Sequence, residues 1–201
     1  MEAIHGKNNH GRAGWDSRIQ VLRMQSMLRF MAAVAVVIYL TVVPAAQAES
    51  LDVRINRLDA FGVQDVLGSV TAEDTEAGLV IHPDITGLSA GEHGFHLHSI
   101  GNCEPGENSD GVSVAGLMAG GHWDPEATGT HRGPFENGHR GDLSRLVVND
   151  DGTTTTDVVA PRLSTADLKG KALVIHAGGD TYTDTPPLGG GGHRVACGVV
   201  G

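Results

Sequence analysis

The chain has 201 residues, with 14 Lys and Arg against 24 Asp and Glu, 29 Gly, and a formal charge of −10. With 40% hydrophobic and 4% aromatic residues, and no apolar run beyond the N-terminus long enough to span a bilayer, collagen, coiled-coil and multi-pass membrane architectures are excluded. The charge is unevenly divided: residues 1–48 carry five basic and two acidic residues, while residues 49–201 carry nine and 22, a body unsuited to gripping nucleic acid or an anionic membrane.

Arg23 and Arg29 precede a 14-residue apolar run, Phe30–Val43, which is followed by Pro44 and by Ala46-Gln47-Ala48. A basic stretch, a short apolar core and a small-residue site together predict a secretory signal cleaved after Ala48. Fourteen residues fall short of the roughly 20 that a spanning helix needs, so stable membrane insertion after cleavage is not expected. Residues 1–23 read as an upstream extension, with Met24 and Met27 as alternative starts to Met1, and no Cys follows the cleavage site to take a lipid. Residues 49–201 are then one exported domain, periplasmic or secreted. In an oxidising compartment the only two cysteines, Cys103 and Cys197, most simply form one disulfide. A bridge enclosing that much chain stabilises by roughly 4–5 kcal/mol.

The mature region reads as eight short strands: 51–56, 66–72, 78–82, 94–99, 143–148, 154–160, 172–176 and 195–200. Breakers such as Pro83-Asp84 and Asp150-Asp151-Gly152 separate them. Almost no helical periodicity is present, apart from a capping-box pattern at Ser164–Asp167 good for a turn or two. The expected fold is all-β, an eight-stranded antiparallel Greek-key barrel or sandwich. Two stretches, 100–142 and 177–194, are too long and strand-free to be plain connections, and loops of that kind are usually functional.

Histidines cluster at those loops. In Gly94-Phe95-His96-Leu97-His98 the two imidazoles are two apart on a strand and emerge on one face, while Phe95 and Leu97 face the core. Such a pair is half of a nitrogen-rich metal site. The long loop adds His122, His131, His139 and Asp142, three imidazoles and a carboxylate that make a plausible four-coordinate zinc set. This loop has little apolar content and cannot order itself by burial, so a metal is a reasonable organiser. His176, at the end of Ala172–His176, is placed to complete the first set. His93 lies on the opposite strand face and reads as a structural hydrogen-bonding residue.

The stretches Gly94–His98, Ala119–Pro125 (AGGHWDP), Gly138–Asp142 (GHRGD), Val174–Asp180 (VIHAGGD) and Gly190–Val199 (GGGHRVACGV), in this order and with this cysteine pair, resemble the copper/zinc superoxide dismutases of the exported bacterial type over essentially all of residues 51–201. The resemblance implies copper on His96, His98, His122 and His176, and zinc on His122, His131, His139 and Asp142. It implies that His122 bridges the two metals and has a catalytic role. Asp180 is implied to hydrogen-bond a ligand of each metal, and Arg194 to lie beside the copper as the catalytic cation. The implied reaction is dismutation of superoxide to O₂ and hydrogen peroxide, with zinc as the structural metal. Relatives include monomers and dimers, so a homodimer stays open. The segment 180–194 (DTYTDTPPLGGGGHR) has no lysine, whereas relatives often carry one there, which leaves attraction of an anion to Arg194 and the metals. The alternative, a non-catalytic secreted copper- and zinc-binding protein of the same fold, is expected to have lost a ligand or the arginine, and this chain keeps them all.

Overall fold

A computed structural model describes residues 50–154 and 156–201. The expected signal segment, its cleavage site and the extension before it lie outside the described residues.

The chain begins as a meander of β1 (Ser50–Asp59), β2 (Gly62–Thr75) and β3 (Gly78–Ile85). These join β5 (Phe95–His98), β9 (Val158–Ala160), β10 (Ala172–His176) and β11 (Arg194–Val199) in one antiparallel sheet of order β5-β10-β11-β1-β2-β3-β9. The short strands β4 (Gly91–His93) and β8 (Leu146–Val148) pair with each other. The sheet curls into a Greek-key barrel, an all-β fold as the strand pattern implies. Its interior is filled by alternate residues of the strands, among them Ile55, Val70, Ile81, Phe95, Leu97, Leu173 and Ile175. Phe95 is fully buried, a burial that stabilises by about 1.5–3 kcal/mol.

All eight predicted strands are present in whole or in part, with five departures, the first being that the predicted 154–160 strand shortens to Val158–Ala160. The predicted 94–99 strand begins earlier and is split at Gly94, whose backbone groups turn to the end of β10 and the loop after it: its N–H donates to the Gly178 carbonyl at 2.8 Å and its carbonyl accepts from the His176 N–H at 2.8 Å. β3 runs through Pro83 instead of ending there. β9 covers only Leu79–Ile81 of β3, so Pro83 sits where that edge needs no donor. The predicted 143–148 strand shrinks to Leu146–Val148, because Leu143 is engaged elsewhere, as described below. Finally, the 100–142 loop is not strand-free: β6 (Gly106–Glu107) and β7 (Ser113–Val114) make a small hairpin, followed by a single helical turn at Leu117–Ala119. The capping box forms, with Ser164 N–H and Oγ–H both donating to Asp167 Oδ2, and opens α1 (Thr165–Leu168).

β5 and β10 are buried on both faces. Their inward residues join the barrel core, whereas Ala172 and Val174 on the outer face of β10 pack with Leu58, Ala119 and the two cysteines. Cys103 and Cys197 are disulfide-bonded, their Cα atoms 5.9 Å apart, which fastens the long loop to β11.

Candidate metal centre

Alternation along β5 sends Phe95 and Leu97 into the barrel and His96 and His98 outward. The edge of β5 away from β10 carries both limbs of the 100–142 loop. Leu97 N–H donates to Gly141 O and Trp123 N–H donates to Leu97 O, each at 2.8 Å, while Ser99 N–H reaches Gly121 O at 3.1 Å and Leu143 N–H reaches Phe95 O at 3.3 Å. The limbs also bond each other, Gly141 N–H to Trp123 O at 2.8 Å. These pairings set His122 opposite His98 and Asp142 opposite His96. A Cβ on Gly141 would stand 2.2 Å from the Leu97 carbonyl oxygen, so only glycine permits this approach. On the other edge, β10 ends with His176, whose ring centroid is 4.8 Å from that of His96.

The sequence-predicted ligands therefore meet in two sets, in each of which the donor atoms lie within 4.8 Å of one another. One is His96, His98, His122 and His176, and the other is His122, His131, His139 and Asp142. All seven residues are buried. In the first set each strand histidine uses one ring nitrogen to hold its orientation. His98 Nδ1–H donates to Gly120 O at 2.9 Å and His176 Nδ1–H to Gly192 O at 3.0 Å. His96 Nε2–H donates to Asp180 Oδ2 at 2.8 Å. The second nitrogens of His98 and His176 face each other at 3.4 Å.

In the second set Asp142 Oδ1 lies 2.9, 3.0 and 3.4 Å from the Nδ1 atoms of His122, His131 and His139. Four buried ring nitrogens, His96 Nδ1, His122 Nε2, His131 Nδ1 and His139 Nδ1, make no hydrogen bond among the described residues, the approaches of the last two to Asp142 being charge contacts only. Buried polar atoms are seldom left so, and a cluster of orphaned imidazole nitrogens fits the donor requirement of borderline metals.

Asp180 couples the sets. Its Oδ1 accepts from His131 Nε2–H at 2.7 Å while its Oδ2 holds His96, and Tyr182 N–H also donates to Oδ1 at 2.8 Å. Burial opposes its charge, but the His131 and His96 hydrogen bonds overcome this and hold its pKa below the usual carboxylate range. Gly189, at φ +71°, passes so close that a Cβ there would stand 2.1 Å from Asp180 Oδ1. His96 and His98 have pKa values well below the ordinary imidazole range, first through burial and then through the neighbouring His122. Burial also lowers His122, and takes His176 down to about 4. Neutral imidazole is the ligating form.

Arg194 opens β11 beside this face. Its guanidinium donates to Gly116 O and, at 2.6 Å, to Gly120 O, the carbonyl that also holds His98. His93 is buried and belongs to neither set, but its Nδ1 lies 2.6 Å from the backbone carbonyl of His176 and its Nε2 2.9 Å from Ser89 O. Three contributors escaped the sequence reading. Asp184 Oδ1 accepts the His131 N–H at 2.9 Å. Tyr182 lays its ring against Gly133, and its hydroxyl accepts the Arg145 N–H at 2.9 Å. Arg162 bonds the 133–139 segment. Residues 180, 182 and 184 lie in DTYTD, where Tyr182 has φ +57° and the chain bends, so no strand periodicity marks them in the sequence.

A barrel that gathers two buried donor sets around one shared imidazole defines a dinuclear metal protein. The sequence profile of the copper/zinc superoxide dismutase family matches residues 66–200, and the chain belongs to that family. It is 49% identical over 176 residues to the Cu-Zn superoxide dismutase of Escherichia coli (strain K12), covering 87% of this chain and 99% of that one. Among solved structures it is similar to the Cu/Zn superoxide dismutase from Brucella abortus, with a TM-score of 0.74 at 44% identity, covering 76% of this chain and all of that one. The monomeric copper, zinc superoxide dismutase from Salmonella enterica matches with a TM-score of 0.69 at 51% identity over the same shares.

Proposed function

We propose that this protein dismutates superoxide, with copper held by His96, His98, His122 and His176 and zinc by His122, His131, His139 and Asp142. The observation that carries the reading is the division of His122: its Nδ1 faces Asp142 among the second set, and its Nε2 is buried without a partner among the first. One ring can therefore serve both metals through opposite nitrogens. Bound in the first set, copper would supply the one-electron exchange that lets one superoxide leave as O₂ and a second, with two protons, as hydrogen peroxide. Zinc, being d¹⁰, has no redox role.

The chain's own groups do the rest. Gly120 O, Gly192 O and Asp180 lock the imidazoles of His98, His176 and His96 with the free nitrogen of each aimed at a common point. His122 Nε2 faces that point and can carry a proton when no metal occupies it. Arg194 offers a fixed cation with a planar donor fork, suited to binding and orienting a small anion. The rival reading, a metal-binding protein without turnover, has no support in a site where every ligand and the arginine are retained.

The test is superoxide consumption by protein of measured copper and zinc content, with Arg194→Ala and Arg194→Lys in parallel. The loaded wild type is expected to consume superoxide, more slowly as ionic strength rises. Arg194→Ala is expected to lose roughly tenfold to a hundredfold in kcat/KM with both metals retained, as for removal of a charge-assisted hydrogen bond. Arg194→Lys, which keeps the charge and loses the fork, is expected to lose less. A loaded wild type that leaves superoxide untouched overturns the function.

The export address extends the same reading: residues 1–48 form the extension and cleaved signal, residues 49–201 the periplasmic or secreted domain. Its supports are the basic, apolar and small-residue succession ending at Ala48 and a disulfide that suits an oxidising compartment. Native mass spectrometry of protein from the cell envelope tests the address and decides between monomer and homodimer, which stay open: a chain starting at Glu49 is expected, at the mass of one such chain or of two. An intact N-terminus overturns the address.

A further inference from the structure

Between His131 and His139 the chain makes an excursion with no regular structure. It is closed within itself chiefly by His139 N–H donating to Thr130 O at 2.8 Å and Gly138 N–H to Glu136 O at 3.1 Å. Gly133, Pro134, Gly138 and His139 are nonetheless buried, and their carbonyls need donors. One side chain from a distant element supplies them. Arg162 Nε–H donates to Pro134 O at 3.1 Å and its Nη1 to Gly138 O at 3.1 Å, while its Nη2 serves Gly133 O at 3.2 Å and His139 O at 2.8 Å. The guanidinium thus spans both ends of the excursion. No carboxylate pairs with it among the described residues, so its donors are committed to the loop.

Arg162 is itself firmly placed. It follows β9, and the next residue, Leu163, is buried, donates its N–H to Ala160 O at 3.1 Å and accepts the Leu79 N–H at 3.1 Å. The barrel therefore reaches out through one planar fork to fix a loop that cannot fix itself by burial. What the fork fixes is the pair of chain points that present His131 and His139.

We propose that Arg162 is a positioning residue for the zinc half of the centre, holding the 133–139 excursion closed so that His131 and His139 arrive together. The inference rests on the reading that His122, His131, His139 and Asp142 hold zinc. Of the copper donors, His96, His98 and His176 hang on β5 and β10, and His122, shared with the zinc set, on the 121–123 segment docked to β5. Arg162 touches none of these, so its direct effect falls on His131 and His139, which belong to the zinc set alone. An ammonium is a single point and cannot reach four carbonyls at both ends of the loop, which makes Arg162→Lys a graded version of Arg162→Ala.

The experiment follows release of each metal from loaded protein into a chromogenic chelator, for wild type, Arg162→Lys, Arg162→Ala and Asp142→Ala, together with hydrogen exchange at the His139 amide. Zinc release is expected to quicken roughly tenfold to a hundredfold in Arg162→Ala, in line with the loss of groups that orient metal ligands, and by less in Arg162→Lys. Copper release is expected to stay at the wild-type rate, and His139 exchange to quicken while the Leu79 amide in the barrel stays protected. Should Arg162→Ala fail to fold, the Lys variant carries the same comparison. Zinc release at the wild-type rate, or copper and zinc released faster by equal factors, overturns the positioning role. The zinc reading fails separately, if Asp142→Ala retains zinc as wild type does.

Discussion

Replacing His98 with alanine is expected to abolish superoxide turnover while leaving zinc bound, and replacing Asp142 with alanine to empty the zinc set and loosen the fold. His98 belongs to one donor set only. Its loss leaves three donors of the proposed copper set and removes the imidazole that shares Gly120 O with Arg194, so activity should fall by more than about a hundredfold, the upper end for losing a group that merely orients a ligand. Asp142 is different in kind. Its Oδ1 faces three imidazole nitrogens and its Oδ2 accepts the Arg132 N–H at 3.1 Å, so its removal leaves three buried rings without the carboxylate between them. Breaking such a buried charged cluster costs about 3–5 kcal/mol, a fall in Tm of roughly 6–20 °C for a domain of this size. Metal analysis, superoxide assay and calorimetry on the two variants give the answer. A His98 variant with wild-type turnover would sink the copper assignment, and an Asp142 variant with full zinc and an unchanged Tm would sink the other.

The second large effect is expected from the disulfide. Its loop of 94 residues corresponds to about 4–5 kcal/mol in the chain-entropy account. The Cys103→Ser, Cys197→Ser protein should lose about that much in urea denaturation of the metal-free state. Activity should fall with it. Cys197 sits within β11, opposite Val174 of β10 and Asn56 of β1, whereas Cys103 lies on the loop that later supplies Gly116 O and Gly120 O. Once the bond is gone, the two carbonyls that hold Arg194, one of them also holding His98, are tied to the barrel only by weaker contacts. A loss below about 1 kcal/mol would show that the reduced loop keeps its place unaided.

What the sequence discloses and what it hides follow from how far each cause reaches along the chain. His96 and His98 are legible because a strand fixes the direction of residues two apart, and the alternation of Phe95 and Leu97 says which side is the core. His122, His131, His139 and Asp142 are legible as a chemical set, but nothing local says that Gly121–Trp123 and Gly141–Leu143 will both bond to β5, since that pairing is set by backbone groups every residue shares. Gly141 hints at it only once the Leu97 carbonyl is known to lie against it. Arg162 is invisible for the same reason: its partners are four carbonyls more than 20 residues away, and carbonyls carry no sequence signature. The β6–β7 hairpin is two residues to a strand, too short for any periodicity to register. Pro83 misleads because a breaker in one strand context is harmless on an edge.

The double docking of the long loop on β5 has a bearing on solubility. β5 is the last strand of the seven-stranded sheet, and a bare terminal strand presents unpaired N–H and C=O groups that invite pairing with another chain. Here that row is occupied by Gly121, Trp123, Gly141 and Leu143, residues that flank or neighbour His122 and Asp142. The segments that present ligands on this side are therefore also the cover of an adhesive edge. A molecule whose loop is undocked uncovers the rim of its barrel together with its donors, so metal supply and freedom from clumping are joined in one stretch of backbone.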